Sequence, residues 1–168
     1  MTELELRTGI GMDAHRCVAG RQLVLGGVEI PADFGLEAHS DGDVLAHAIL
    51  DALLGAANLG DKGTLFPSSD PQFKNIRSTI LLERAVGLLR ERGGRIVNVD
   101  SSLICERPPI ASHVPAMQEN LAAALGVKNS QISVKATTTE GLGFTGRSEG
   151  IAALAVVTIR FPEGDHAD

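Results

Sequence analysis

Asp13 and His15 stand two residues apart in the run Gly9-Ile10-Gly11-Met12-Asp13-Ala14-His15. In an extended chain side chains alternate with period two, so this carboxylate and imidazole leave the backbone on one side and can share a metal ion. A solvated loop pair would satisfy the same spacing. A third donor lies in Ala38-His39-Ser40-Asp41-Gly42-Asp43-Val44-Leu45-Ala46-His47, where Asp43, His47 and Asp51 recur every fourth residue, on one helical face. An exposed face is the plain reading of such a stripe, but surface helices draw on Lys, Glu and Arg, and His47 is flanked by Ala46 and Ala48. Asp13, His15 and His47 together would offer three N/O ligands with a fourth position open, the pattern of a catalytic zinc site rather than a closed structural one. His39 and Ser40 precede the helix, where free N–H groups and the helix dipole favour an anion.

A second reactive stretch is Lys135-Ala136-Thr137-Thr138-Thr139-Glu140-Gly141-Leu142-Gly143-Phe144-Thr145-Gly146-Arg147. Three threonines offer hydroxyls and backbone N–H groups, and the glycines permit close backbone approach. Lys135 and Arg147 add positive charge, and Glu140 can hold a hard cation such as magnesium through oxygen. Phosphate is the natural guest of such a segment, although a β-rich threonine run closed by a glycine turn would read the same way. Two further polar loops, Gly60-Asp61-Lys62-Gly63 with Phe66-Pro67-Ser68-Ser69-Asp70, and residues 101–110 with Pro108-Pro109, complete the set.

These residues need a scaffold, and hydrophobic spacing predicts one. Residues 22–30 read as two short strands around Gly26-Gly27. From Ser40, with Asp43 three residues on, Val44, Leu45, Ala48, Ile49, Ala52 and Leu53 recur at helical spacing, and the helix should reach residue 58 or 60. A second helix is expected over residues 75–92 with Gly93-Gly94 as its stop, and a third over 112–125 with Pro115 in its first turn and Gly126 beyond its end. Residues 95–105, 131–136 and 150–160 read as strands, the last apolar enough to be central and buried on both faces. Strands interleaved with three helices imply one layered α/β sandwich over residues 1–161, with a disordered tail at 162–168. The pattern leaves parallel and antiparallel pairing open.

Composition excludes several functions. The 168 residues carry 21 Asp+Glu against 15 Lys+Arg, a net charge of −6, which argues against a nucleic-acid backbone as partner. Tryptophan and tyrosine are absent, so base-stacking platforms lack their usual side chains. No apolar run spans a membrane and the first seven residues are too polar for a signal peptide. Cys17 and Cys105 make no disulfide framework; two reduced thiols in a cytoplasmic protein are expected, with Cys17 near enough to His15 to compete for a metal.

In order and spacing these segments closely resemble the 2-C-methyl-D-erythritol 2,4-cyclodiphosphate synthase family of the non-mevalonate isoprenoid pathway, over roughly residues 8–159. The anchors are Asp13-x-His15, the run from Ala38 to Asp43, Asp51-Ala52-Leu53-Leu54-Gly55-Ala56, and residues 135–152. The length matches stand-alone members rather than those fused to a cytidylyltransferase. The resemblance implies an α+β layered sandwich with a mixed sheet and three main helices, assembling as a homotrimer with active sites between subunits. It implies metal-dependent cyclisation of 4-diphosphocytidyl-2-C-methyl-D-erythritol 2-phosphate to the 2,4-cyclodiphosphate with release of CMP, a phosphorus–oxygen lyase reaction.

By the same resemblance Asp13, His15 and His47 hold zinc, Glu140 holds magnesium or manganese between the phosphates, and His39 and Thr138 stabilise the transition state. Asp13, Ala14, His15, His39 and Ser40 line the substrate. Asp61, Lys62, Gly63, Phe66, Pro67, Ser68, Ser69 and Asp70 contact the methylerythritol and its phosphate. Cys105, Glu106, Arg107, Pro108, Pro109, Ile110 and Ala111 hold cytosine, Thr137, Thr138, Thr139 and Glu140 surround the cytidylyl phosphates, and Phe144 and Arg147 bind near the subunit interface. Two positions depart from the family pattern: Ser68, where an acidic residue is common, and Pro109, where lysine is frequent. A phosphohydrolase using the same ions, and a non-catalytic trimer binding a nucleotide or isoprenoid diphosphate, are the competing expectations.

Overall fold

Alternation of side chains along residues 5–16 carries the chain through one long strand. The structure, a computed structural model, describes residues 4–162. In it β1 (Leu4–Val18) runs for 15 residues and pairs antiparallel with β7 (Gly150–Pro162) in unbroken register from Leu4 opposite Pro162 to Arg16 opposite Gly150. The hairpin β2 (Leu23–Leu25) and β3 (Val28–Ile30) follows, turned by Gly26 and Gly27 at φ 57° and 73°, as the sequence predicts. The two-residue β4 (Gly35–Leu36) closes the far edge on Cys17 and Val18. β5 (Arg95–Ile104) and β6 (Ile132–Thr137) complete a five-stranded sheet in the order β4-β1-β7-β5-β6, in which only β5 and β6 run parallel. The open question of pairing is thus answered by a mixed sheet.

Three long helices cover one face: α1 (Val44–Ala56), α3 (Ser78–Glu91) and α4 (Val114–Leu125). Two four-residue helices, α2 (Lys62–Leu65) and α5 (Gly143–Gly146), sit in loops that the sequence reading leaves irregular. α4 opens with Pro115 in its first turn and ends on Gly126 in the left-handed conformation, both as expected. α1 differs at both ends. It stops at Ala56, and its cap is Asp43, not Ser40, because the Asp43 Oδ1 takes the Ala46 N–H at 3.0 Å.

α1 lies across β1 and β7 with unusually close backbone approach to β1. A Cβ on Gly11 would stand 2.0 Å from the Ala48 carbonyl oxygen and 2.6 Å from the Ala52 nitrogen; one on Gly9 would stand 2.1 Å from the Ala52 oxygen. Glycine on the strand and alanine on the helix are therefore a matched surface. The core behind it is filled by Leu45, Ile49, Leu53, Leu82, Leu103, Met117 and Val157.

The opposite face of the sheet is bare. Leu6, Ile10 and Met12 of β1 are 65%, 72% and 60% exposed, beside Leu154 and Val156 of β7. β7 is thus central, as expected, but within one chain it is not buried on both faces. It also extends to Pro162, one residue into the segment expected as a disordered tail; residues 163–168 lie outside the described residues. Among the described residues no helix is long and apolar enough to cross a membrane.

The Gly11 contact yields a direct test. Gly11→Ala must lift α1 off β1, and overpacking of this kind costs about 3 kcal/mol. Urea unfolding should show the midpoint falling accordingly; a wild-type midpoint would contradict the packing described.

Candidate metal centre and its surrounding loops

The odd-numbered residues of β1 face α1, and beyond Gly9 and Gly11 the next two are Asp13 and His15. α1 supplies His47 one residue before its close approach at Ala48 to Ala52. The result is a cluster in which one ligand atom from each of Asp13, His15 and His47 lies within 4.8 Å of the others. Its sides are short: His15 Nε2 to Asp13 Oδ2 is 2.8 Å, His47 Nδ1 to the same oxygen 3.0 Å, and the two ring nitrogens are 3.0 Å apart.

Ligands around a tetrahedral zinc stand about 3.3 Å apart, given bonds near 2.0–2.1 Å. The cluster is close to that spacing, with two imidazoles and one carboxylate as donors, so the residues present fit a divalent metal. Among the described residues it is the one group of at least three His, Cys, Asp or Glu with this convergence. Cys17 stays out of it and packs against the core.

The surroundings hold each donor. The Asp13 Oδ1, turned away from the imidazoles, takes the Lys62 ammonium at 3.0 Å; that ammonium also meets Asp51 Oδ2 at 3.1 Å, and Asp51 Oδ1 accepts the Lys62 backbone N–H at 2.9 Å. Burial acts to raise the Asp13 carboxyl, but hydrogen bonds from His15 and His47, and the charges of His15 and Lys62, together hold it well below the usual carboxylate range. His47 is buried, and its Nε2 faces Ser78 Oγ at 2.9 Å and Ser40 Oγ at 3.1 Å.

The polar stripe of α1 is not an exposed face at Asp43, which is fully buried and splits its oxygens between the Gly26 and Gly27 N–H groups of the hairpin turn as a structural cap. Ser40, with His39 before it, stands beside the metal cluster, its Oγ 3.1 Å from His47 Nε2.

A cavity of about 250 Å³ opens next to the cluster, lined by His15, His39, Ser40 and His47 together with Lys62, Gly63, Phe66 and Ser68. The residues around the metal donors thus meet the loops at 60–63 and 66–70. His39 Nε2 reaches the Asp70 carbonyl at 3.4 Å, and Asp61 and Asp70 act as helix caps for the short turns that follow them. Ser69 and Pro67 belong to the same loop but are not among the lining residues.

The remaining predicted residues form a separate group. β5 ends at Ile104 beside Thr137 of β6, so the loops that follow lie together. Glu106 Oε1 accepts the Thr139 and Gly141 N–H groups at 3.0 and 3.3 Å, the Cys105 N–H reaches the Thr137 carbonyl at 2.9 Å, and Thr138 Oγ1 accepts the Glu140 N–H at 3.3 Å. Thr137, Thr138 and Glu140 are exposed. Phe144 lies between: it lines a second small cavity with Ala14 and His15, while Arg147 pairs with Glu149 at 2.8 Å. Sequence reasoning missed Ser78, the Asp51–Lys62 pair and the organising role of Glu106. A serine opening a helix was the available sign for Ser78; the other two depend on tertiary proximity.

The fold is a mixed α+β sheet with helices on one face, and it carries a two-histidine, one-aspartate cluster of a kind that could hold a metal. The chain belongs to the YgbB family, whose family model matches residues 6–160. A curated relative, the 2-C-methyl-D-erythritol 2,4-cyclodiphosphate synthase of Syntrophomonas wolfei, is 56% identical over 154 residues, 92% of this chain and 98% of its own length. Among solved structures, the bifunctional IspDF of Campylobacter jejuni superposes with TM-score 0.91 at 46% identity over 95% of this chain, which spans 43% of that longer protein. A 2C-methyl-D-erythritol-2,4-cyclodiphosphate synthase in its CDP-bound form superposes with TM-score 0.84 at 38% identity, covering 91% of this chain and 99% of that one. Relatives are synthases, and this protein is an enzyme of their family.

Cys105 offers a check on the second loop group. It is buried, donates to the Arg107 carbonyl at 3.0 Å, and burial pushes its thiol up to about 11. Since the thiolate is the reactive form, native protein at pH 8 should leave Cys105 unlabelled by iodoacetamide, with complete labelling in urea. Peptide mass mapping that finds rapid native labelling would contradict the described loop.

Proposed function

We propose that this enzyme is a phosphorus–oxygen lyase that converts 4-diphosphocytidyl-2-C-methyl-D-erythritol 2-phosphate into 2-C-methyl-D-erythritol 2,4-cyclodiphosphate and CMP. An oxygen of the 2-phosphate attacks the β-phosphorus and forms the new P–O–P bond. The bond from that phosphorus to the α–β bridging oxygen breaks, and its electron pair leaves with CMP. The carrying observation is the Asp13, His15 and His47 convergence beside a cavity lined by His39, Ser40, Lys62 and Gly63. The names of the relatives, one of them solved with CDP, support the substrate class.

The reaction brings two anionic phosphates together, so its barrier is largely electrostatic and positional. Asp13, His15 and His47 would hold zinc, and Glu140 magnesium or manganese; such ions polarise the phosphoryl group and neutralise charge on the leaving phosphate. His39 and Thr138 donate hydrogen bonds to developing oxyanions. Lys62, anchored by Asp51 and Asp13, adds a fixed positive charge to the cavity wall. Asp61, Gly63 and the loop from Phe66 to Asp70 take the methylerythritol end, and residues 105–111 take cytosine through backbone groups. Ser68 and Pro109 then tune affinity rather than chemistry.

The working unit in this reading is a homotrimer in the cytoplasm, with each active site between two subunits. Metal cluster and threonine loop sit at the same end of the sheet, but β1 and β6 are three strands apart, roughly 14 Å at the usual strand spacing. One chain's cluster and a neighbouring chain's Thr137–Glu140 loop would make one compact site. The bare apolar face of β1 and β7 gives the subunits a surface to share.

Phosphorus NMR tests the chemistry. Equimolar CMP and cyclic diphosphate, formed with zinc and magnesium and abolished by a chelator, is the expected result. Inorganic phosphate would indicate a hydrolase instead, and unchanged substrate with folded, metal-loaded protein a binding module. For assembly, Ile10→Lys should shift sedimentation from trimer toward monomer; a wild-type species with no self-association would remove the intersubunit site.

A further inference from the structure

We propose that Ser78 and Asp41 act as a hydrogen-bond relay that fixes the ring tautomer of His47 and aims its Nδ1 lone pair at the metal cluster. The inference rests on the metal-centre reading above, and makes Ser78 and Asp41 positioning residues for the reaction. His47 has two ring nitrogens with different duties. Nδ1 points at Asp13 Oδ2 and His15 Nε2, each 3.0 Å away. Nε2 lies on the opposite side of the ring, 2.9 Å from Ser78 Oγ.

A serine hydroxyl has one hydrogen to give. Ser78 Oγ lies 2.5 Å from Asp41 Oδ1, and the Ser78 backbone N–H meets Asp41 Oδ2 at 3.0 Å. A carboxylate only accepts, so the Ser78 hydrogen goes to Asp41 and the hydroxyl turns a lone pair to His47. Nε2 must therefore carry a proton, and Nδ1, whose own proton goes to the Asp13 carboxylate in the metal-free protein, is the nitrogen left to serve as a ligand. Ser40 Oγ, at 3.1 Å from the same nitrogen, can accept alongside.

Solvent cannot easily substitute for this arrangement, because Ser78, His47 and Ser40 are 1%, 6% and 7% exposed. Asp41 is itself held: its N–H reaches the Ile76 carbonyl at 3.0 Å, and its Oδ1 also accepts the Asp43 N–H at 3.1 Å. α3 has no side-chain cap from the residue before it, and Asp41 supplies one from a distant segment. Capping and relay separate by mutation, since Ser78→Ala keeps the backbone N–H and loses only the hydroxyl.

The test uses ¹⁵N-histidine protein freed of metal at pH 8, where long-range ¹H–¹⁵N correlation reports which His47 nitrogen is protonated. Wild type should show a proton on Nε2, whatever proton Nδ1 shares with Asp13; Ser78→Ala should retain it in part, and Asp41→Asn should lose it, because the amide can donate to Ser78 and reverse the relay. Zinc affinity, measured by competition with a chelator, should fall about 10–100-fold in both variants, with circular dichroism and Tm confirming the fold. An unprotonated Nε2 in wild type would overturn the proposal. So would weaker zinc binding with the wild-type tautomer retained, which would assign Ser78 a packing role. Wild-type protein that shows Nε2–H but takes up no zinc would instead sink the metal reading, a failure the spectra distinguish from that of the relay.

Discussion

α1 can rest directly on β1 because Gly9 and Gly11 have no side chains, and the position of every donor in the cluster follows from that contact. The Cβ that any other residue would carry at Gly11 falls 2.0 Å from the Ala48 carbonyl. With helix and strand backbones this close, the next side chains along the strand, Asp13 and His15, can reach His47 on the helix without bending either element. A larger residue at Gly11 would push α1, and His47 with it, away from β1 and open the 3.0 Å spacing of the two ring nitrogens. Packing and chemistry here are one constraint, imposed by two glycines and the alanines opposite them.

The electrostatics then follow a consistent division of labour among the aspartates. Asp13 sits among donors and is held ionised, ready to ligate. Asp43, four residues before His47 and on the same helical face, meets backbone N–H groups instead and ties the hairpin to α1. Asp51 faces Lys62 and brings an ammonium to the oxygen of Asp13 that the imidazoles do not use. Asp41 serves Ser78 and the start of α3. Four carboxylates in a protein of net charge −6 would repel one another in water; each is stabilised by a different set of N–H, O–H or ammonium partners.

Much of this was legible in the sequence because it is local. The Gly26-Gly27 turn, the Pro115 and Gly126 ends of α4, and the same-side placement of Asp13 and His15 all depend on backbone geometry over a few residues. The cap of α1 was not, because Ser40 and Asp43 both suit a cap and only tertiary partners decide: the hairpin claims Asp43 and His47 claims Ser40. Ser78 was invisible for a similar reason, being one serine at a helix start until α3 docks it against His47. The site residues named by resemblance divide in the same way. Those near β1 and α1 meet in one cavity, whereas the threonine loop and residues 105–111 gather at the far side of the sheet.

That division bears on why the outer face of the sheet is apolar. A strand antiparallel to both neighbours commonly turns one face to water and carries polar residues there, yet Leu154 and Val156 of β7 stand open beside Ile10 and Met12. Thr8 and Thr158 within this patch face each other at 3.4 Å, and the apolar side chains around them suit a contact surface. The two halves of the proposed site are separated across the same sheet. A subunit contact that covers the apolar face and also brings one chain's metal cluster to another chain's threonine loop resolves both features at once. In this reading the acidic protein gathers the positive charge its polyanionic substrate requires only on assembly, from the cations, Lys62 and donors on two chains, so that binding and oligomerisation become linked equilibria.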